Sequence, residues 1–343
     1  MLSGKRWPAH PHPYRDELLS SWLVRVAHAN GLKVQTFCAQ EFGNDHQLWN
    51  RDIDRLAPNW LIEAMSEKTG RPIKRVRETT LLGYEGKLYD KYHPAGQLRW
   101  ILPLQMYHRK RRGFGLQFCP KCLAEGAEPY YRRSWRVALY TFCPKHDVML
   151  QDRCPQCGSG IAFHRLELGR PEVIEAPSLA CCWSCGFDLR ESPTDRVNRW
   201  NGRTFQSWSK ALRLIDKGAA DSTRFDYSKV AVLHQFCSLM VSVRLAPKLI
   251  TYVHGRTHQP SAVLATGRFA FELRPIGERH YVLELSWWLI GRWPSRLRAA
   301  WKVRAVRYNV LLKDFTAPPK NYLDLMDEIQ AEAKIIRYKK TSK

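Results

Sequence analysis

Four short knuckles constrain this chain more than any other feature: Cys119-Pro-Lys-Cys122, Cys143-Pro-Lys-His146, Cys154-Pro-Gln-Cys157 and Cys182-Trp-Ser-Cys185. In each, two residues separate a pair of ligand-type side chains, the spacing at which a tight turn aims both at one tetrahedral ion. A lone CxxC would suit a redox dithiol as well, but four in succession ask for two closed metal sites. Seven thiolates and one imidazole fit Zn²⁺, so the expected cofactor is two structural zinc ions per chain. Sequential pairing makes a Cys₃His site from Cys119, Cys122, Cys143 and His146 and a Cys₄ site from Cys154, Cys157, Cys182 and Cys185. Interleaved pairing, first knuckle with third and second with fourth, is also compatible with the spacing. Cys181, beside Cys182, is a spare thiol or a register alternative. A catalytic zinc keeps an open position, whereas every ligand here has three companions, which argues against catalysis at either metal.

A disulfide framework is the competing use of so many cysteines. The stretch Met1 to Trp7 has no hydrophobic signal core, and 343 residues exceed a disulfide-stapled mini-domain. Free thiols beside zinc knuckles imply a reducing cytoplasm. The formal charge is +23, and Lys and Arg recur throughout the chain. Such a balance attracts polyanions, nucleic acid first. No apolar run reaches the length of a membrane span and no basic amphipathic helix shows a lipid face, so no membrane partner is expected.

In chain order, residues 7–15 form a Pro-punctuated arm, and a helix follows from Asp16 to about Ala29 with Leu18, Leu19, Trp22, Leu23 and Val26 as its apolar stripe. Asp16 is placed to cap it, and Asn30-Gly31 to stop it. A shorter helix covers Lys33–Phe42, with Cys38 as a small buried hydrophobe. Pro58 opens a helix carrying Leu61, Ile62 and Met65; after Thr69-Gly70, Pro72 opens another with Ile73 and Val76. This pair is compatible with helix-turn-helix, with Lys74, Arg75 and Arg77 as its candidate DNA contacts, or equally with an ordinary helical hairpin bearing a solvated basic face. Residues 83–118 read as a linker whose basic run Arg109-Lys110-Arg111-Arg112 is either a solvated loop or a track for phosphates. Between the first two knuckles, Tyr130 to Arg136 alternates aromatics with arginines. Tyr131 and Trp135 suit packing against the metal, while Arg132 and Arg133 are further phosphate candidates. Helices are expected over Trp200–Ile215 and Asp226–Leu245, with His234 and Cys237 as core rather than ligands. Residues 256–280 look less regular. From Trp287 through Lys313 there is no acid, and the tail Lys334–Lys343 is basic and expected to fray. No P-loop, HExxH or GxSxG is present, and no carboxylate set stands out for two-metal chemistry.

Two stretches together resemble the TniQ family of transposon target-selection proteins. Residues 13–31 (Pro-Tyr-Arg-Asp-Glu-Leu-Leu-Ser-Ser-Trp-Leu-Val-Arg-Val-Ala-His-Ala-Asn-Gly) are similar to the family's opening arm and first helix. Residues 118–158 are similar to its zinc segment: CPxCL, a Tyr…Arg…Trp spacer, CPxH, then CPxCG. The resemblance covers roughly 13–190 and weakens after 200. It implies a bacterial, transposon-encoded, non-catalytic factor that brings target DNA to an AAA+ ATPase regulator, which recruits the transposase. TnsD-like members bind an attachment sequence themselves, and others dock as dimers on an RNA-guided CRISPR complex. The family's zinc ligands fall on the eight knuckle residues named above.

The fold class expected is therefore mainly α, in three parts: an N-terminal helical, helix-turn-helix-like domain over 1–115, a double zinc module over 116–190 and a C-terminal helical domain over 191–343. The function expected is a DNA-transposition accessory protein that selects or delivers the target site. The resemblance implies DNA and the ATPase regulator as its partners, with a CRISPR complex or a second copy of the chain as further ones. The alternatives are a scaffold on a CRISPR complex that does not read DNA, or a general zinc-finger regulator.

Overall fold

The structure is a computed structural model. It describes residues 5–46, 48–104, 106–107, 110–111, 114–172, 175–199, 201–217, 227–242, 244–257, 260, 262–265 and 270–341. The architecture is mainly helical, with two two-stranded antiparallel hairpins among the described residues. The chain gathers into two compact units, Met1–Glu85 with Lys91–Val197, and Gly86–Asp90 with Asn198–Lys343. Residues 1–115 and 116–190 thus contribute mostly to one unit. Among the described residues no helix is long and apolar enough to cross a membrane.

The first unit is built round α1 (Leu19–Ala29), which is buried from Leu19 through Ala27. The apolar stripe is there, but the other faces are covered too, so the polar side chains of α1 find buried acids. Ser20 donates to Asp54, and Ser21 and Arg25 both donate to Glu17. Asp16 does not cap α1. Its φ is +62°, and its carboxylate accepts from Ser134 Oγ at 2.7 Å and from Arg133 Nε at 3.1 Å. The helix starts at Leu19, with Leu18 at the N-cap position and no side-chain cap.

Around α1 stand α2 (Val34–Phe42), α3 (Ile53–Leu56), α4 (Asn59–Thr69) and α5 (Ile73–Arg77). Gly70, at φ +69°, ends α4 in the left-handed region that glycine tolerates best. The arm lies against these helices. Trp7 is buried and donates to Glu41, and Trp22 donates its indole N–H to the Pro11 carbonyl.

The expected linker 83–118 is packed over 98–104 and 116–118. Leu98, Trp100, Ile101, Leu102, Leu116 and Phe118 are all buried. The segment pairs with the chain after the first knuckle, through Leu102 N to Arg136 O and Ala138 N to Trp100 O. A Cβ at Gly115 would stand 2.2 Å from the Pro103 carbonyl oxygen, so only glycine lets these two stretches of backbone meet. Burial without helical or strand periodicity disguises this stretch in the sequence. Within it, β1 (Met106–Tyr107) pairs with β2 (Lys110–Arg111).

The zinc-ligand region adds α6 (Pro120–Ala124) and a hairpin of β3 (Phe142–Cys143) and β4 (Val148–Met149). The second unit contains α7 (Gly202–Lys217), α8 (Tyr227–Met240), α9 (Leu249–Thr257), α10 (Ile276–Ile290), α11 (Ser295–Lys302), α12 (Tyr308–Leu311) and α13 (Lys320–Thr341). Trp200 and Asp226, the expected starts of two of these helices, lie outside the described residues. The basic tail expected to fray is instead the end of α13 as far as Thr341. Helix α10 is the centre of the unit, buried from Tyr281 through Trp287 and packed on α7, α8, α9 and α11. His234 bonds Glu272 at 2.7 Å while Cys237 donates to Ser286, so the two share no site. Arg298, in the acid-free stretch, finds its counter-charges on α13 at Glu328 and Glu332.

Candidate metal centres and nucleic-acid interface

The first site forms where α6 meets the β3–β4 hairpin. Cys119 is the N-cap of α6, and Pro120 fills the first helical position, where a missing N–H costs nothing. Cys122 follows one turn later. Cys143 ends β3, and the turn after it brings His146 back, with Asp147 N bonded to the Cys143 carbonyl at 2.9 Å and Asp147 at φ +53°. The His146 Nδ1 atom lies 3.5 Å from Cys119 Sγ, 3.4 Å from Cys122 Sγ and 3.5 Å from Cys143 Sγ, and Cys122 Sγ lies 3.6 Å from Cys143 Sγ.

The second site uses two knuckles of the same geometry. Gly158 N bonds the Cys154 carbonyl and Gly186 N the Cys182 carbonyl, each at 2.9 Å, with both glycines at positive φ. Cys154 Sγ stands 3.7 Å from Cys185 Sγ, and Cys157 Sγ 3.6 Å from Cys182 Sγ. Zinc–sulfur bonds of about 2.3 Å at tetrahedral angles put sulfurs about 3.8 Å apart. A disulfide would need about 2.0 Å, and all ten cysteines are free. Each set of four ligand atoms lies within 4.8 Å of one another. The donor sets fit two structural zinc ions, paired sequentially. Cys181 stands outside, its backbone bridged to Asp188.

The two sites differ in their surroundings. Around the first, the three cysteines are buried, and His146 Nε2 meets Glu125 Oε1 at 2.8 Å, with Lys145 on the other carboxylate oxygen at 2.6 Å. Burial acts upward on the Glu125 pKa, but Lys145 and His146 more than offset it and hold it below the usual range. A carboxylate behind a ligating imidazole fixes its tautomer and strengthens it as a donor. Sequence reasoning misses Glu125, although an acid three residues past Cys122 is visible there. Around the second site, Cys157 and Cys185 are exposed.

The expected nucleic-acid contacts divide. Lys74, Arg75 and Arg77 are exposed on α5, a helix of five residues; Arg75 pairs with Glu78 at 2.9 Å and Arg77 donates to Asn59 at 3.4 Å. Arg109 and Arg112 lie outside the described residues. For Lys110 and Arg111, the backbone pairing of β2 is described. Arg132 lies over the rings of Tyr130 and Trp135, and Arg133 binds Asp16. Burial works against the Arg133 charge, yet Asp16 holds its pKa above the ordinary value. Tyr131 and Trp135 are buried, as packing residues should be.

Arg136, which sequence reasoning does not single out, is buried and forks onto Asp52 with contacts of 3.1 and 2.5 Å, beside Asp54 at 3.5 Å. Nothing local in sequence signals a pair 84 residues apart.

Residues 8–150 match the TniQ family model. Over these residues the chain is similar to the TniQ family. The match takes in α1 to α6, both hairpins and the whole first zinc site, and stops before Cys154. TniQ domains mark transposition-associated target-selection proteins. No curated protein matches the chain.

Proposed function

We propose that this chain selects or delivers the target site in DNA transposition, as a non-catalytic zinc-stapled adaptor between DNA and an AAA+ ATPase regulator in the bacterial cytoplasm. The observation that carries it is the TniQ match over residues 8–150, enclosing a closed Cys₃His cluster. A closed site offers no position to substrate, which suits a structural part in a targeting protein. The α4–α5 pair presents Lys74, Arg75 and Arg77 to solvent, where phosphate can reach them. A charge of +23 adds salt-dependent attraction to DNA.

The test is the salt dependence of duplex DNA binding by the zinc-loaded chain. Each phosphate contact adds about 0.9 to the slope of log K against log salt. Lys74→Ala with Arg75→Ala should therefore flatten the slope by about 2, without loss of helicity. An unchanged slope would remove α5 from the interface.

A further inference from the structure

The second unit contains a cavity of about 510 Å³, within the size range of small-ligand sites. Part of its lining comes from the first turns of four helices. Arg203 and Thr204 open α7, Ser228 and Lys229 open α8, Arg296 opens α11, and Asn321 opens α13. Each of these helices has eight residues or more, and each directs the positive end of its dipole to this side. Arg292 adds a fourth cationic side chain, and no acid is among the described lining residues. Helix α10 contributes its C-terminal end and Trp287, which is nine-tenths buried and whose indole N–H has no acceptor among the described residues. Arg296 lies over the Trp288 ring at 4.0 Å and donates to the Trp288 carbonyl, so its position is set before any ligand arrives. Burial first, and Arg292 second, push the Arg296 pKa down, as expected for a half-buried guanidinium with a second cation nearby.

The geometry points to a nucleotide-binding site: phosphate seated among these helix starts and cations, and the base against the Trp287 and Trp293 wall. The same chemistry is offered by a free nucleotide and by one nucleotide of a single strand. The site goes beyond target selection and does not depend on it.

Calorimetry on the full-length zinc-loaded protein, with AMP and separately with a six-residue oligothymidylate, tests this. One site per chain is expected for at least one of them. Arg203→Glu, Lys229→Glu and Arg292→Glu together should weaken it on the order of 30-fold, since charge-assisted contacts are replaced by repulsion. These three residues are exposed, so the fold should survive. The matched triple Lys210→Glu, Lys302→Glu and Lys313→Glu changes the net charge equally outside the cavity lining and should shift affinity less than about threefold. AMP binding with this pattern identifies a free nucleotide; oligomer binding without AMP binding identifies a strand. Inorganic pyrophosphate should displace either from the unsubstituted protein, which reads the phosphate seat without any substitution. No binding of either probe, equal loss in the two triples, or failure of pyrophosphate to compete would overturn the site.

Discussion

Arg136→Met should destabilise the first unit by about 3–5 kcal/mol at pH 7.5, the cost of stranding a buried charge partner. The surroundings of the guanidinium set that size. Arg136 is 1% exposed and donates to both Asp52 oxygens and to the Leu102 carbonyl at 2.9 Å. Met fills much of the same volume but leaves that carbonyl without this donor and Asp54, itself 2% exposed, without a cation. Asp52 is less affected, because its side chain retains 14% exposure.

The sign of the effect follows from the acid that is left behind. Burial first, then Asp52, raises the Asp54 pKa from 3.8 to about 6. For a carboxyl raised on folding, the contribution to stability is full below the unfolded value and is lost as pH rises through the folded value. Removing Arg136 removes an influence that lowers this pKa, so the deficit should be smaller at pH 5 than at pH 7.5. Urea unfolding with zinc present measures both, and Arg136→Met with Asp54→Asn should recover part of the loss. A deficit under about 1 kcal/mol at pH 7.5, or one that grows toward pH 5, would refute the role given to this cluster.

Cys154→Ser should reduce bound zinc from two ions to one per chain by elemental analysis, and retention of two would show the ligand set to be wrong. Glu125→Gln should keep the Cys₃His geometry but weaken zinc at that site about 10- to 100-fold in chelator competition, with no change at the Cys₄ site; equal weakening at both sites would count against a local effect. Glu284, buried on α10, has its pKa raised by burial from 4.5 to about 7, so its contribution to stability is present below pH 4.5 and lost as pH rises through 7. Glu284→Gln should flatten the stability profile across that window by about 3 kcal/mol, and an unchanged profile would contradict this.

The zinc ligands are legible in the sequence because their chemistry is local: two residues of spacing and a tight turn are enough to form a knuckle. Helix α1 is legible for a similar reason, since its apolar period is local. Its polar side chains are not, because Asp54 and Glu17 become their partners only in three dimensions. Asp16 looks like a cap in sequence and is instead held by Ser134, 118 residues away. The stretch 98–104 has neither period and so reads as a linker, although its backbone pairs with residues 136–138. Helix α13 escapes a reading by periodicity, since Lys320 to Thr341 mixes acids and bases with its apolar residues and ends in a basic run.

The most direct test of target selection is to incubate the zinc-loaded protein with fragmented host genome at physiological salt and sequence what it retains. Enrichment of one locus, lost on chelation of zinc, is the predicted result. Even, salt-labile retention across the genome would contradict direct site selection and assign the choice of site to a partner.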